Sequence, residues 1–328
     1  MSKQVLIAGG GIGGMAAALA CARAGWDVRL YERAANFSEV GAGVQLGANV
    51  TRLLNGWGLE PALRRLAAFP PRLQVCDAHT GRELGALRLG EHTLERYGAP
   101  YATLHRGDLH GLLCEAVREQ PGVHLNLHHT LSHFHQTAQG VSLGLPLDPA
   151  NPHTPPLEVD GDVLVGADGL WSVVRQWLLG DGPPRVAGHL AYRALVPQVS
   201  LPERLRSNQV TVWLGPRLHV VQYPVRGGDC LNVVAIAQAP LQGPVQNLTP
   251  ERLDHWDHSG NAAELQALLA HACPTLQNLV QAIPHWRLWV LCDRPPMRGP
   301  EQHAVGRVAL LGDAAHPMRP YLAQGAGM

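Results

Sequence analysis

The sequence predicts an α/β protein in which a parallel sheet with helices on its faces is interrupted by a β-rich second part. Three observations predict it. A short apolar run near the N-terminus ends in a glycine cluster, and an apolar helical stretch follows. Two further apolar runs, at 162–166 and 307–311, each lead into a turn that carries an aspartate. Between those two runs, residues 191–237 alternate in the manner of antiparallel strands.

Residues 4–8 (QVLIA) read as a buried parallel strand, because apolar residues continue without a polar break up to the glycines. Residues 13–24 read as a helix that Gly25 ends, and residues 26–31 (WDVRLY) as a second strand with Glu32 at its C-terminal end. Together they make one βαβ unit of about 30 residues. Helices are expected at 50–57, 61–67 and 107–119, and a hairpin at 72–89 around the His79-Thr80-Gly81 turn. Strands follow at 123–127 and 130–134, then a Pro-rich turn at 151–156 and the strand at 162–166. The β-rich part holds strands at 192–197, 209–214, 218–223 and 230–236, and a helix is expected at 261–272. The strand at 307–311 is the last.

Bulk properties exclude several classes. The chain has 26 basic and 26 acidic side chains, so no charge excess draws it to nucleic acid or to an anionic membrane. The six cysteines are scattered with no CxxC spacing, which argues against a disulfide framework or a zinc site and suits a reducing cytoplasm. His124, His128, His129, His133 and His135 crowd together, yet no acidic or cysteine ligand accompanies them, and no metal is assigned. The N-terminus lacks the pattern of a signal peptide, and no apolar stretch is long enough to span a membrane.

The chemistry resides in three spaced motifs. Gly9-Gly10-Gly11-Ile12-Gly13-Gly14 is a GxGxxG between strand and helix. Gly9 permits the tight turn, Gly11 lets the backbone approach a pyrophosphate, and Gly14 allows close helix–strand contact. The helix N-terminus presents free N–H groups and a positive dipole end to the phosphates. Glu32, 18 residues after Gly14, accepts hydrogen bonds from ribose hydroxyls and repels a 2′-phosphate. A dinucleotide is the ligand, but this motif alone does not separate FAD from NAD. The second motif is residues 165–175, a strand then Asp168-Gly169 and a helix. The third is residues 306–317, an apolar strand running into Gly312-Asp313-Ala314-Ala315-His316-Pro317, where a carboxylate can hold a polyol hydroxyl such as a flavin's ribityl chain. Gln324-Gly325-Ala326-Gly327 would begin a further helix.

In this order the motifs resemble those of the class A FAD-dependent aromatic hydroxylases, the family of salicylate hydroxylase, 3-hydroxybenzoate 6-hydroxylase and 6-hydroxynicotinate 3-monooxygenase. The resemblance covers essentially the whole chain. It extends to Glu32-Arg33, residues 41–47, residues 104–110, Ala191-Tyr192-Arg193-Ala194, and residues 215–228 with His219 and Tyr223. It implies a Rossmann-like FAD-binding domain at 1–72, 101–180 and 286–328, interrupted by a substrate-binding domain at 73–100 and 181–285. It also implies that the sequence stops at Met328, short of a C-terminal helical segment.

The resemblance further implies roles. Gly9, Gly11, Gly14, Glu32 and Arg33 would hold the ADP half of FAD. Val44 would line the loop near the flavin, and Arg106 would contact the phosphates. Leu131, in the strand after that helix, would approach the adenine. Asp168 would serve both FAD and NAD(P)H, and Asp313 would bind the ribityl chain. Pro317 would sit beside the isoalloxazine, together with Gly325 and Ala326. The implied reaction is hydroxylation of a small phenolic or hydroxy-carboxylate aromatic with NADH or NADPH and O2, through a C4a-hydroperoxyflavin. Open alternatives are another flavoprotein monooxygenase acting on urate, a quinone precursor or an isoprenoid, and an inactive truncated FAD-binding product. A second copy of the chain, giving a homodimer, is an open partner.

His219 and Tyr223 fall four apart in one strand, on the same face and roughly 13 Å apart at about 3.3 Å per residue. From spacing alone they could equally be polar tips on a half-buried strand. The His-x-x-x-Tyr-Pro stretch resembles the region that lines the substrate site in several of these hydroxylases. That implies hydrogen bonds to the substrate hydroxyl, with His219 the better proton acceptor because its unperturbed pKa lies near neutrality. Pro320 stands where some 3-hydroxybenzoate 6-hydroxylases have Gln, so that substrate is not assigned.

Overall fold

A computed structural model describes residues 3–37, 42–147, 154–238, 258–321 and 323–327. Of the Pro-rich turn at 151–156, residues 151–153 lie outside the described residues.

The chain opens with the expected βαβ unit, β1 (Gln4–Ala8), α1 (Ile12–Arg23) and β2 (Asp27–Tyr31). Next come β3 (Gly43–Leu46), α2 (Ala48–Gly56) and α3 (Glu60–Leu66). The hairpin β4 (Arg72–Asp77) and β5 (Glu83–Arg88) precedes α4 (Glu91–Tyr97). β6 (Ala102–His105) runs without a loop into α5 (Arg106–Arg118). β7 (Val123–Asn126), the meander β8 (His133–Gln136), β9 (Val141–Leu145) and β10 (Leu157–Gly161), then β11 (Val163–Gly166) and α6 (Val173–Leu179) complete the first half.

The second half is built on long antiparallel strands: β12 (Arg185–Pro197), β13 (Val210–Gly215), β14 (Leu218–Val225) and β15 (Cys230–Gln238). After them come β16 (His258–Gly260), α7 (Ala262–Leu268), α8 (Pro274–Gln281) and β17 (Trp286–Asp293). α9 (Pro300–His303), β18 (Ala304–Val305) and β19 (Val308–Leu310) close the described elements.

Two large sheets organise the molecule. The first has order β18-β19-β11-β1-β2-β7 and is parallel except at its β18 edge. Leu6, Ile7, Val28 and Leu30 are fully buried because α1 and α5 cover one face and the meander with α6 the other. Strands covered on both faces need the unbroken apolar runs seen in the sequence. The second sheet has order β16-β17-β12-β15-β14-β13-β4-β5. On one face Tyr192, Val233, Ala235 and Trp213 pack under α7 and α8. On the other, Ala191, Val221, Tyr223, Val234, Ile236 and Trp289 form a separate cluster.

Several expectations need correction. Residues 286–293, grouped above with the nucleotide-binding part, are β17, which pairs antiparallel with β12 in the second sheet. The strand read at 130–134 begins only at His133, so Leu131 lies in the connection before β8. The helix read at 261–272 ends at Leu268, and a further helix that the sequence reading did not include, α8, starts at Pro274. A proline suits the first turn of a helix but has no N–H to continue one. β3, β6, β9, β10 and β17 escaped the reading because polar residues or glycine interrupt each of them, so none shows the unbroken apolar run that marks β1 and β11. Residues 324–327 form a turn closed by Gly327 N–H to the Gln324 carbonyl at 2.8 Å, not a helix. Among the described residues no helix is long and apolar enough to cross a membrane.

Candidate functional site

The site begins where β1 stops. Gly9 has φ +102°, and a Cβ there would lie 2.4 Å from the Ala167 carbonyl oxygen and 2.8 Å from the Asp168 Cα. Glycine is therefore needed twice over, for its backbone angle and for the approach of the Asp168 motif. A Cβ on Gly14 would lie 1.9 Å from the Gly9 carbonyl oxygen, so α1 crosses directly over the strand end. α1 starts at Gly11 with no side-chain cap and no acid in its first turn. Its N–H groups and dipole are left for an external anion.

The Glu32 carboxylate turns back onto this loop, accepting from Gly10 N–H at 2.6 Å and Ala34 N–H at 2.8 Å. Two oxygens offer about four lone pairs, so acceptor capacity remains for ribose hydroxyls. Arg33 beside it is exposed. Leu131 is buried among Tyr31, Phe134 and Val141, so its side chain belongs to the core.

Asp168 ties its own turn. It accepts from Ser172 Oγ and from the N–H groups of Val173 at 2.7 Å and Val174 at 3.1 Å, at the start of α6. Burial pushes its carboxyl pKa up, and these hydrogen bonds pull it back. Arg175, fully buried, extends from α6 to the third motif. It donates to the Ala314 carbonyl at 3.2 Å, the Ala315 carbonyl at 2.7 Å and the Pro295 carbonyl at 3.0 Å, and pairs with Asp181 at 2.7 Å. Arg294 shares Asp181 at 3.1 Å and also donates to the Leu170 and Gly182 carbonyls. The two aspartate motifs are thus one rigid unit.

Asp313 stands in the turn Gly312–Ala314 after β19. Its side chain is exposed. Burial of the surroundings nonetheless pushes its carboxyl pKa up, while Arg106 and then His316 pull it down. Arg106 begins α5, and its N–H donates to the Ala42 carbonyl at 2.7 Å, beside β3 where Val44 pairs with Leu104. Arg106 and Asp313, far apart in the sequence, therefore lie within electrostatic reach of each other. Pro317 is half-buried. The turn with Gly325 and Ala326 rests on α2, where Asn49 Nδ2 donates to the Gly327 carbonyl at 3.1 Å.

The second sheet supplies the other wall. His219 and Tyr223 lie on one face of β14, opposite Ile236 and Asn232. They do not share surroundings. The Tyr223 hydroxyl is against β3, since a Cβ on Gly43 would fall 2.7 Å from it, and it hydrogen-bonds Gln45. Gln45 also accepts from the Tyr101 hydroxyl. Burial pushes the Tyr223 phenol pKa far up, so it stays protonated and acts as a donor. Arg193 lies over the Trp289 ring, 3.5 Å from its centroid, and its Nε has no hydrogen-bond partner among the described residues. Burial holds its guanidinium pKa down to about 9, with Tyr223 acting to raise it and Arg106 to lower it.

His219 is 9% exposed and makes no hydrogen bond to a described residue. Its ring meets Tyr321 edge-on at 5.4 Å and 78°, and Tyr321 in turn lies 6.0 Å from His189. Burial pushes the His219 pKa down, so the imidazole is neutral and free to accept a proton.

Sequence reasoning missed Arg193, Gln45, Tyr101, Trp289, Tyr321, Arg175, Arg294 and Asp181 as site builders. Arg193 carried a signal, a lone charge in an otherwise apolar alternating strand. The others carried none that is local.

The residues fit a flavin dinucleotide: an uncapped helix N-terminus for pyrophosphate, an acidic residue just after β2, and the Asp313 carboxylate within electrostatic reach of Arg106. Residues 2–221 match the family model described as an FAD binding domain. The chain belongs to this FAD-binding family, in the class of FAD-dependent aromatic hydroxylases. It is 38% identical over 328 residues to 3-hydroxybenzoate 6-hydroxylase 1 of Aquipseudomonas alcaligenes, covering 100% of this chain and 78% of that protein. It is 33% identical over 331 residues to 6-hydroxynicotinate 3-monooxygenase of Bordetella bronchiseptica, covering 99% of this chain and 79% of that one. Among solved structures it resembles Klebsiella pneumoniae HpxO complexed with FAD and uric acid, with TM-score 0.78 and 25% identity over 99% of this chain and 76% of that chain.

Proposed function

We propose that this protein is an FAD-dependent monooxygenase that hydroxylates a small aromatic ring bearing a hydroxyl and a carboxylate or ring nitrogen, with NAD(P)H and O2. The observation that carries this reading is His219, a neutral, buried imidazole with no hydrogen-bond partner among the described residues, on the sheet face that also holds Arg193 and Tyr223. The 38% and 33% identical relatives, which act on hydroxylated benzoate and nicotinate, support the substrate class. The six free cysteines suit a reducing cytoplasm.

FAD, held by Gly9, Gly11, Gly14, Glu32, Arg33, Val44, Arg106, the Leu131 backbone, Asp168, Asp313, Pro317, Gly325 and Ala326, would carry reducing equivalents from NAD(P)H to O2 and deliver oxygen to the ring. The chain's own residues do the rest. His219 accepts the proton of the substrate hydroxyl, which makes the ring more nucleophilic. Tyr223, protonated and fixed by Gln45, donates a hydrogen bond from the β3 side. Tyr321 and Trp289 wall the site and exclude water.

The test is substrate-stimulated NADH oxidation with product detection, over 3-hydroxybenzoate, 6-hydroxynicotinate, salicylate and urate. Stimulation and hydroxylated product with one of the first three supports the reading; response to none of the four overturns it. Response to urate alone would favour a second reading, which rests on the likeness to the uric acid complex of HpxO.

His219→Gln is expected to lower hydroxylation by about 10²-fold or more, the usual contribution of a positioned base, with FAD binding kept. The proton acceptor must be neutral, and burial depresses its pKa below the ordinary value of about 6.5. Activity is therefore present above neutrality and lost as pH falls through that depressed pKa. The acid limb of kcat/KM should lie below about pH 6.5 and vanish in the variant. An unchanged acid limb in His219→Gln would remove His219 from this role.

A further inference from the structure

Both peptide groups that meet at Gly10 are held. The Gly10 N–H donates to Glu32 at 2.6 Å. The Gly10 carbonyl is met by His110 Nε2 at 2.7 Å. The sequence anticipated neither contact. His110 is on α5, one turn beyond Arg106, and is only 4% exposed. A carbonyl can only accept, so Nε2 carries the proton, and this contact fixes the tautomer. The ring is steadied by Phe37, 5.8 Å away and tilted by 51°.

The consequence follows from peptide planarity. In a trans peptide the Gly10 carbonyl and the Gly11 N–H belong to one plane and point in opposite directions. Among the described residues no peptide bond is cis. Drawing the Gly10 carbonyl toward α5 therefore turns the Gly11 N–H away from α5, toward the mouth of the loop. That N–H finds no acceptor among the described residues, and α1 has no side-chain cap to compete for it.

We propose that His110 is a positioning residue for FAD, which aims the Gly11 N–H at the pyrophosphate by holding the Gly10 carbonyl. This rests on the assignment of the Gly9–Gly14 loop to FAD. A free loop would sample other peptide orientations, and each would cost binding energy to restore.

The experiment compares wild type, His110→Phe, which keeps a ring without a donor, and His110→Gln, whose side-chain amide can donate to the same carbonyl. FAD affinity is read from quenching of flavin fluorescence, ADP affinity by competition, and folding from the thermal midpoint of the FAD-free protein. His110→Phe is expected to raise the Kd for FAD about tenfold, the scale of one hydrogen bond to a charged group. The Kd for ADP should rise by the same factor, because ADP carries the pyrophosphate without the flavin ring. His110→Gln should recover most of both. Should the phenylalanine variant not fold, His110→Leu gives the same comparison with less bulk. Equal affinity in wild type and the donor-less variant, or equal weakness in the donor-less and glutamine variants, would overturn the role. A wild type that binds no FAD would overturn the loop assignment and this role with it.

Discussion

Gly14→Ala is expected to unfold the N-terminal βαβ unit enough to abolish FAD binding. The added Cβ would sit 1.9 Å from the Gly9 carbonyl oxygen, and that obstacle is backbone at the end of a central strand. Relief requires α1 to lift from β1, which disturbs the buried contacts of Met15, Ala18 and Leu19 with Val5 and Ile7. Overpacking of a core costs about 1–3 kcal/mol, and a backbone obstacle belongs at the upper end. Gly13→Ala is the internal control. Its Cβ would meet only the Leu311 side chain at 3.9 Å, an ordinary contact. There alanine should raise helix stability by about 1 kcal/mol. Thermal unfolding of the FAD-free proteins checks this: the Gly14 variant should melt several degrees lower, and the Gly13 variant no lower than wild type. Equal midpoints for the two variants would refute the close-crossing argument.

Arg175→Ala should be the most damaging change outside the glycine loop. It would leave Asp181 and the carbonyls of Ala314, Ala315 and Pro295 without their shared donor, inside the protein. Removing one partner of a buried ion pair costs about 3–5 kcal/mol, because the other charge stays buried. Part of that charge would still be met by Arg294. The turn carrying Asp313 would lose its anchor, so FAD affinity should fall together with stability. Arg175→Lys should rescue little, since one ammonium cannot span the positions that the guanidinium fork reaches. Soluble yield, thermal midpoint and FAD titration measure the three effects. A stable Arg175→Ala protein with unchanged FAD affinity would show that Asp313 is placed by other contacts.

The parts of this protein that local chemistry specifies were legible in the sequence. Gly9 needs a positive φ, Gly14 needs the absence of a side chain, and the four apolar residues Val5 to Ala8 before them need burial on both faces. Each is a property of a few adjacent residues, so the βαβ unit, the Asp168 and Asp313 turns and the long strands β12 to β15 could be read directly. β3, β6, β9, β10 and β17 could not, because polar residues or glycine interrupt each of them and none shows the unbroken apolar run that marks β1 and β11. The strand read at 130–134 begins only at His133, which leaves Leu131 outside it.

What the tertiary structure alone decided is which distant groups meet. His110 reaches Gly10 across 100 positions, and Arg175 reaches Ala315 across 140. Tyr223 was readable as a residue on the same strand face as His219, yet it turned out to be clamped by Gln45 of β3, while His219 faces Tyr321 from the far end of the chain. A side chain's protonation and freedom depend on the burial and charge that other segments bring to it. Those segments are brought there by sheet order and helix crossing, which no local pattern encodes.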